Sequence, residues 1–138
     1  LVSSLMSNPL AEYQPELSES MQESLESIAE QWRGLADVKL NIDKGIEGNR
    51  VVEEIVSEGI SNAYKHGYAE KIEVLIQDNG NHLLIEINDD GIGPRSGKGG
   101  FGLHMVESVT AGNWSFQRSK TGEGSTLKAL VPKVGSDD

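Results

Sequence analysis

Apolar residues recur at helical spacing near the start of the chain, from Pro15 to Gly34. Glutamates occupy the remaining faces of this segment, so the pattern predicts an amphipathic helix with one buried face. Pro15 is typical of a first helical turn and Gly34 of a helix end, and together they set the expected limits. The apolar stripe consists of Leu17, Met21, Leu25, Ile28, Trp32 and Leu35.

Five segments further along alternate apolar and polar residues with a period of two, which is typical of strands that bury one face. Asn79-Gly80 predicts a two-residue hairpin turn, and residues 121–124 (TGEG) predict a second turn. Pro132 closes the last segment. The alternating segments are residues 38–42, 72–76, 83–89, 114–116 and 127–131.

Two further helices are predicted between these strands. Asn49 is a suitable N-cap for a helix that runs to about His66 and stops at Gly67. Residues 103–110 form a shorter helical segment. The element order predicts an α/β (α+β) fold, a two-layer sandwich in which helices cover one face of a mixed, mostly antiparallel sheet of about five strands.

Composition narrows the functional classes. The chain has 138 residues, enough for one domain, and no cysteine, which excludes disulfides, thiolate nucleophiles and cysteine-based zinc sites. Its formal net charge of −10 disfavours binding to nucleic acid or to an anionic membrane. Its apolar runs are too short to cross a bilayer, and no signal peptide is apparent. Because the chain opens at Leu1 rather than at a methionine, we expect a fragment of a longer protein.

The glycine-rich stretch at residues 89–106 (DDGIGPRSGKGGFGLHMV) contains two superficial nucleotide motifs. Residues 97–102 match G-x-G-x-x-G, but a Rossmann fingerprint follows a first strand directly, whereas this match lies late in the chain. A P-loop fails because Ile92 occupies its first glycine position, and Gly99 follows Lys98 where a hydroxyl must bind magnesium. Neither motif explains the glycines.

Within the second predicted helix, Glu58, Asn62 and Lys65 fall in one narrow stripe. A carboxamide oxygen can complete a Mg²⁺ site, an ammonium group can neutralise phosphate charge, and a carboxylate can orient or deprotonate a nucleophile. Alone, this stripe is also compatible with an ordinary solvated helix face. A different face of the helix is expected to be buried and contains Val52, Val56, Gly59, Ile60 and Ala63.

Two segments after the third predicted strand extend this chemistry. Asp89 ends the strand, where its carboxylate can accept a hydrogen bond from the exocyclic amine of a base, and Gly91 and Gly93 let the backbone approach a flat ring. Residues 100–103 (GFGL) enter a helix whose N-terminal amides favour phosphates. Alone, the first segment is also compatible with a common Asp-Gly turn, and the second with a flexible loop before a helix cap.

The order and spacing of these segments resemble the Bergerat-fold (GHKL) ATPases, which include gyrase, the Hsp90 chaperones, histidine kinases and the mismatch-repair protein MutL. The N box of that family, E-x-x-x-N, matches Glu58 and Asn62. Its two glycine boxes, D-x-G-x-G and G-x-G, match residues 89–93 and 100–102, and a late G-[ST] segment matches residues 124–126. All four occur in the family's order.

The resemblance implies a role for each matching residue. Asn62 would coordinate Mg²⁺, Asp89 would contact the adenine amine, and Glu58 would be the catalytic residue that helps to activate an acceptor histidine. The other implied ATP-binding residues are Lys65 and His66 beside the N box, Gly91 and Gly93 in the adenine pocket, Lys98 in the lid, Gly100, Gly102 and Leu103 at the phosphates, and Thr126 near the base. The implied cofactors are ATP and Mg²⁺.

A short lid at residues 91–99, without an F box, resembles the histidine kinases related to the nitrate and desaturase-control sensors. Residues 24–43 resemble the segment that joins their dimerisation helices to the catalytic domain. The expected organisation is a lead-in at residues 1–14, a helix linking to a dimerisation domain outside this chain at 15–36, the ATP-binding catalytic domain at 37–133 and a disordered tail at 134–138.

The implied function is that of the catalytic domain of a two-component sensor histidine kinase, which transfers the γ-phosphate of ATP to a histidine. None of His66, His82 and His104 lies in an acceptor-like helix. We therefore expect a dimerisation/phosphoacceptor domain of the same parent protein as partner, a response regulator downstream, and no autophosphorylation by this fragment. The expected location of this fragment is the cytoplasm, without direct contact with membrane or nucleic acid, and anchoring of the parent protein in the plasma membrane is left open. The alternative is a free-standing anti-sigma factor serine kinase of the same fold.

Overall fold

A computed structural model describes residues 20–91, 103–118 and 124–133. Its helices are α1 (Met21–Gln31), α2 (Arg50–Lys65) and α3 (Leu103–Thr110), and its strands are β1 (Asp37–Ile42), β2 (Lys71–Asn79), β3 (His82–Asp89), β4 (Trp114–Arg118) and β5 (Ser125–Pro132). Within those ranges, no helix has both the length and the apolar character needed to cross a membrane.

The strands form one mixed sheet in the order β1-β2-β3-β5-β4. β1 and β2 are parallel because α2 provides the crossover between them, and the other pairs are antiparallel. The helices pack on one face of this sheet, so the predicted two-layer α/β fold with a mostly antiparallel sheet is confirmed.

The core lies between α2 and the central strands. The face of α2 that the sequence predicts as buried is confirmed at Val52, Val56, Ile60 and Ala63. A Cβ atom at Gly59 would lie 2.5 Å from Ile87 Cδ1, so this glycine lets the helix approach the sheet closely. The strand residues that complete this aliphatic core are Ile72, Val74, Ile76, Leu83, Ile85, Ile87, Leu127, Ala129 and Val131.

The first helix begins at Met21 rather than at Pro15. Ser20 is the N-cap: its side chain accepts a hydrogen bond from Glu23 N at 3.1 Å, and its own N–H donates to Glu23 Oε1 at 3.3 Å. The sequence contains this capping box, S-x-x-E, and it provides a stronger start signal than a proline in a polar segment. Residues 15–19 lie outside the described ranges.

The second helix has the predicted limits. Asn49 is its N-cap and accepts a hydrogen bond from Val52 N at 3.1 Å. Lys65 is its last residue and His66 its C-cap. The N–H of Gly67 donates to the carbonyls of Asn62 and Ala63, which closes the helix at the predicted glycine.

The first hairpin turn is shifted by one residue from its prediction. Asn79 pairs with His82, so the two central residues are Gly80 and Asn81 rather than Asn79 and Gly80. Gly80 has a φ of 80°, whereas Asn81 is not among the residues with positive φ. Glycine at the first central position is typical of a type II′ turn, which matches the twist of the flanking strands.

Candidate functional site

The C-terminal end of α2 and the turn after β3 meet at one end of the sheet. A Cβ atom at Gly91 would lie 2.8 Å from the carbonyl carbon of Gly67 and 3.1 Å from Ala69 N. Only glycine permits this approach of two backbone segments. The turn that ends the helix of Glu58 and Asn62 therefore lies directly against the Asp89-x-Gly91 segment, so two motifs that are distant in the sequence are adjacent in the fold.

Asp89 lies on the helix-covered face of the sheet, directly opposite Ile72 on β2 and Ser125 on β5. It is half-buried, and its Oδ1 accepts a hydrogen bond from Gly91 N at 2.8 Å. Burial raises the pKa of the Asp89 carboxyl above its ordinary value, the Gly91 hydrogen bond opposes this shift, and the nearby charge of Asp90 adds to it. The result is a half-buried carboxylate that a backbone hydrogen bond holds in a fixed orientation.

The neighbouring Asp90 has a different, structural role. Its Oδ1 accepts hydrogen bonds from the backbone N–H groups of Glu70 at 2.8 Å and Lys71 at 3.0 Å. Although desolvation raises the pKa of Asp90, these N–H groups outweigh it and the net shift is downward. Asp90 thus ties the turn after β3 to the start of β2 and fixes the backbone that presents Asp89.

Ser125 is a candidate site residue that sequence reasoning missed. It is 4% exposed, and its Oγ has no hydrogen-bond partner among the residues that the structure describes. A buried hydroxyl without a partner is unfavourable unless a ligand or water satisfies it, so it points to a binding site. The signal was available, because Ser125 continues the period-two alternation of the buried residues Leu127 and Ala129.

Thr126, which was predicted near the base, lies on the opposite face of the sheet. Its Oγ1 donates a hydrogen bond to Asn88 Oδ1 at 2.6 Å, and Asn88 Nδ2 donates to Glu86 Oε2 at 3.1 Å. The structure therefore does not bring Thr126 together with Asp89. Successive side chains of a strand point to opposite faces of the sheet. Ser125 therefore faces the helices, and Thr126, one residue later, faces the open surface.

Gly124 packs against the backbone of Asp89 and Gly91. Its φ is 95°, a conformation that favours glycine, and its N–H donates to the carbonyl of Gly91 at 2.5 Å. A Cβ atom at Gly124 would lie 2.5 Å from the carbonyl oxygen of Asp89. The two glycines thus join the turn after β3 to the start of β5 with no side chain between them.

The N-box residues lie in the second half of α2. Glu58 and Asn62 are half-buried and Lys65 is exposed. The carbonyl of Asn62 accepts hydrogen bonds from the N–H groups of His66 at 2.9 Å and Gly67 at 3.2 Å, which fixes the backbone of the last helical turn.

The remaining predicted site residues follow Gly91 in the sequence. Leu103 is the first residue of α3. The predictions for Gly93, Lys98, Gly100 and Gly102 fall outside the described residues.

The fold is similar to that of solved histidine kinase structures. Histidine kinase AdeS from Acinetobacter baumannii matches with a TM-score of 0.64 and 16% identity, covering 86% of this chain and 67% of that chain. The histidine kinase domain of the E. coli osmosensor EnvZ matches with a TM-score of 0.60 and 17% identity, covering 92% and 94%. The ATP-binding domain of PrrB from Mycobacterium tuberculosis matches with a TM-score of 0.61 and 22% identity, covering 85% and 96%.

The sequence itself matches a family model over residues 48–135, from the loop before α2 to beyond β5. This range contains the N-box helix, the turn at Gly91 and the buried Ser125, and it makes up more than half of the chain. The chain belongs to the family of histidine kinase-, DNA gyrase B-, and HSP90-like ATPases.

Proposed function

We propose that the chain is the ATP-binding catalytic domain of a two-component sensor histidine kinase, which transfers the γ-phosphate of ATP to a histidine on a dimerisation domain of the same parent protein. The observation that carries this proposal is the close packing of Gly91 on Gly67, which joins the N-box helix to the strand ends at Asp89 and Ser125. Membership of an ATPase family makes ATP the expected nucleotide.

The residues around Asp89 fit an adenine ring. The Asp89 carboxylate accepts a hydrogen bond from the exocyclic amine, while its bond from Gly91 N keeps it oriented. The unpartnered hydroxyl of Ser125, directly across the strand pair, supplies a second polar contact to the base, either directly or through water. We assign this position to Ser125 in place of Thr126.

The residues in the last turns of α2 are suited to bind the phosphate groups of ATP. Asn62 would hold Mg²⁺ through its carboxamide oxygen, with phosphate and water oxygens as the other ligands. Magnesium, when bound, supplies charge neutralisation for the transferred phosphoryl group. Lys65 and His66 would contact phosphate, and the predicted contacts of Gly93, Lys98, Gly100, Gly102 and Leu103 belong to the same proposal.

Glu58 is the proposed catalytic residue. It lies one helical turn before Asn62 and is half-buried on the same side of α2. In the proposed reaction, an imidazole nitrogen of the acceptor histidine forms a bond to the γ-phosphorus, the bond to the β–γ bridging oxygen breaks, and ADP leaves. Glu58 orients the imidazole by accepting a hydrogen bond from its other ring N–H. A response regulator would then receive the phosphoryl group.

The test is phosphotransfer to the separately supplied dimerisation domain of the parent protein, with γ-labelled ATP and Mg²⁺. The proposal predicts an acid-labile phosphohistidine on the added domain and no label on this chain alone. Asn62→Ala should lose the transfer, and Glu58→Gln should slow it while keeping nucleotide affinity. An acid-stable phosphoserine on a different acceptor would support the anti-sigma alternative instead, and absence of any transfer would contradict the kinase proposal.

A further inference from the structure

Two aromatic rings join the first helix to the last turn of α2. The ring centroids of Trp32 and Tyr64 lie 5.3 Å apart and the ring planes are inclined at 59°, a tilted arrangement that is favourable for aromatic pairs. Both side chains are half-buried, and Trp32 packs against the hydrophobic core. Trp32 is the C-cap of α1, and Tyr64 is the last residue but one of α2. The contact therefore links the two helices at the end of α2 that carries Asn62 and Lys65.

The backbone of Trp32 is fixed on both sides of the ring. Its N–H donates to Ala29 O at 3.0 Å, and its carbonyl accepts hydrogen bonds from the N–H groups of Leu35 at 2.9 Å and Ala36 at 3.1 Å. The N–H bond ends the helix, and the two carbonyl bonds close the turn that leads into β1. The indole therefore gives Tyr64 a support whose own position is set by α1 and by the start of β1.

The last turn of α2 contains little other apolar surface. Its four residues are Asn62, Ala63, Tyr64 and Lys65. Ala63 is buried but contributes only a methyl group to the core. The hydrogen bonds that the carbonyls of this turn accept from residues 66–69 join it to the segment that follows. Because the ends of helices fray, a large side chain that ties the last turn to another helix limits its movement, and Tyr64 is that side chain.

Tyr64 and Asn62 lie on different flanks of α2. Two residues along a helix correspond to a rotation of about 200°, so the two side chains leave α2 on nearly opposite sides. α2 lies between α1 and α3 and contacts both. Since Tyr64 meets Trp32 on the α1 side, Asn62 lies on the flank that faces away from α1. The ring contact therefore restrains the rotation of the last turn without covering the side of α2 that holds the candidate metal ligand.

We propose that Trp32 is a positioning residue for the phosphate end of the nucleotide site and that it acts through the ring of Tyr64. The pair sets the orientation of the last turn of α2, and so the directions from which Asn62 and Lys65 reach the metal and the phosphates. It has no part in binding the base, which is assigned to the strand ends at Asp89. The inference rests on the proposed function, because it gives a support to the phosphate contacts named there.

The test compares two ligands that share a base. Adenosine reports the contacts of base and ribose, whereas ATP with Mg²⁺ adds those of the phosphates and the metal. Trp32→Leu and Tyr64→Leu should each weaken the binding of ATP with Mg²⁺ by about two- to tenfold, the factor that corresponds to an aromatic pair. Adenosine affinity should stay the same. Calorimetry measures the first affinity and NMR titration the second. Tyr64→Leu leaves the packing of Trp32 on the core in place, so it provides the test even where Trp32→Leu does not fold.

Matched variants separate positioning from ordinary packing. Trp32→Phe and Tyr64→Phe each keep a ring and should retain most of the affinity for ATP with Mg²⁺. Val51→Ala removes half-buried packing from the first turn of α2, so it should lower the free energy of unfolding and leave both affinities unchanged. The double variant Trp32→Leu/Tyr64→Leu should lose no more ATP affinity than the weaker-binding single variant, because either change alone removes the contact.

The nucleotide-free chain gives a second measurement. The N–H groups of His66 and Gly67 donate to the Asn62 carbonyl at 2.9 Å and 3.2 Å, so their exchange with deuterium reports opening of the last turn. Tyr64→Leu should speed exchange at these two amides. The amide of Glu53, which donates to the Asn49 carbonyl in the first turn, should keep its rate.

Three results would overturn the inference while leaving the proposed function in place. The first is an unchanged affinity for ATP with Mg²⁺ in a folded Tyr64→Leu chain. The second is an equal loss of ATP and adenosine affinity, which would mean that the whole site is destabilised. The third is additive losses in the double variant, which would mean that the two rings act separately. A wild-type chain that binds ATP with Mg²⁺ no more tightly than adenosine would contradict the proposed phosphate site, and the inference with it, so the two failures are distinguishable.

Discussion

Asp89 and Ser125 lie directly opposite each other on β3 and β5, on the helix-covered face of the sheet. One is a half-buried carboxylate whose pKa is raised by burial, and the other is a buried hydroxyl without a partner among the described residues. Burial is unfavourable for both groups, because the carboxylate loses hydration and the hydroxyl has no hydrogen bond to replace its hydration. Their pairing is understandable if a nucleotide base supplies the missing hydrogen bonds.

Ser125→Ala should weaken ATP binding without lowering the free energy of unfolding. Removing a buried, unpartnered hydroxyl should leave the free energy of unfolding unchanged or raise it by about 1 kcal/mol. The same change should weaken ATP binding by about 5- to 10-fold, since one neutral hydrogen bond contributes about 1 kcal/mol. Urea unfolding and calorimetric titration with ATP measure the two effects.

The adjacent Thr126→Ala is the matched control. It removes the 2.6 Å bond to Asn88 on the open face of the sheet, so it should lower the free energy of unfolding by about 1 kcal/mol. ATP affinity should stay the same. If Thr126→Ala weakened ATP binding and Ser125→Ala did not, the original prediction for Thr126 would be restored and the assignment of Ser125 would be wrong.

Asp89→Asn should change the choice between nucleotides. The carboxylate only accepts hydrogen bonds, so it suits the adenine amine and repels the carbonyl of guanine, whereas a carboxamide can satisfy both. ATP affinity should fall by about 10- to 100-fold, the range expected for a hydrogen bond to a charged group, and the ratio of ATP to GTP affinity should fall with it. Asp90→Asn is the control, because it should lower stability while leaving that ratio unchanged.

The two aspartates should also change stability with pH in opposite directions. The raised pKa of Asp89 means that the folded state holds its proton more tightly than the unfolded chain does, so this stabilisation is lost as pH rises from about 3.9 through the raised pKa. Asp89→Asn should therefore be more stable than wild type at neutral pH, and the difference should shrink in acid.

The effect of Asp90 on stability at neutral pH has the opposite sign to that of Asp89. Its lowered pKa contributes stability above the unfolded value of about 3.9, and this contribution is lost as pH falls through the lowered pKa. Asp90→Asn should therefore be less stable than wild type at neutral pH, with a difference that also shrinks in acid. Thermal unfolding of both variants between about pH 2.5 and pH 7 measures the signs and their change in acid. If both variants changed stability in the same direction at neutral pH, the environments assigned to Asp89 and Asp90 would be wrong.

Local patterns predicted the elements of this fold well because each strand and helix has its own periodicity. Asn49 was recognised as an N-cap since its side chain acts only on the next turn. The predictions were wrong where two local signals compete. Helix α1 has Ser20 as its N-cap instead of starting at Pro15, and the central residues of the hairpin turn are Gly80 and Asn81 instead of Asn79 and Gly80. In each case the hydrogen bonds available in the folded chain decided the result.

The site was harder to predict because its geometry depends on tertiary packing. A motif identifies Asn62 and Asp89 as partners, but only the approach of Gly91 to Gly67 brings their segments together. The face of a strand is decided by its register, and a motif written G-[ST] does not distinguish Ser125 from Thr126. The resemblance to a family therefore predicts the chemistry of the site, and the sheet register decides which side chain lies opposite Asp89.

Asn62→Ala should remove the magnesium dependence of nucleotide binding. The carboxamide oxygen is the proposed metal ligand, and alanine favours the helix while leaving the backbone bonds from His66 and Gly67 in place, so the fold should be retained. ATP affinity measured with Mg²⁺ should fall at least about tenfold and equal the affinity measured in a metal chelator.

Lys65→Ala provides the contrast, because a lost phosphate contact should weaken ATP binding both with Mg²⁺ and in the chelator. Circular dichroism should show unchanged helix content in both variants. If Asn62→Ala binds ATP with the same magnesium dependence as wild type, Asn62 does not hold the metal, and the phosphate end of the proposed site must be built from other residues.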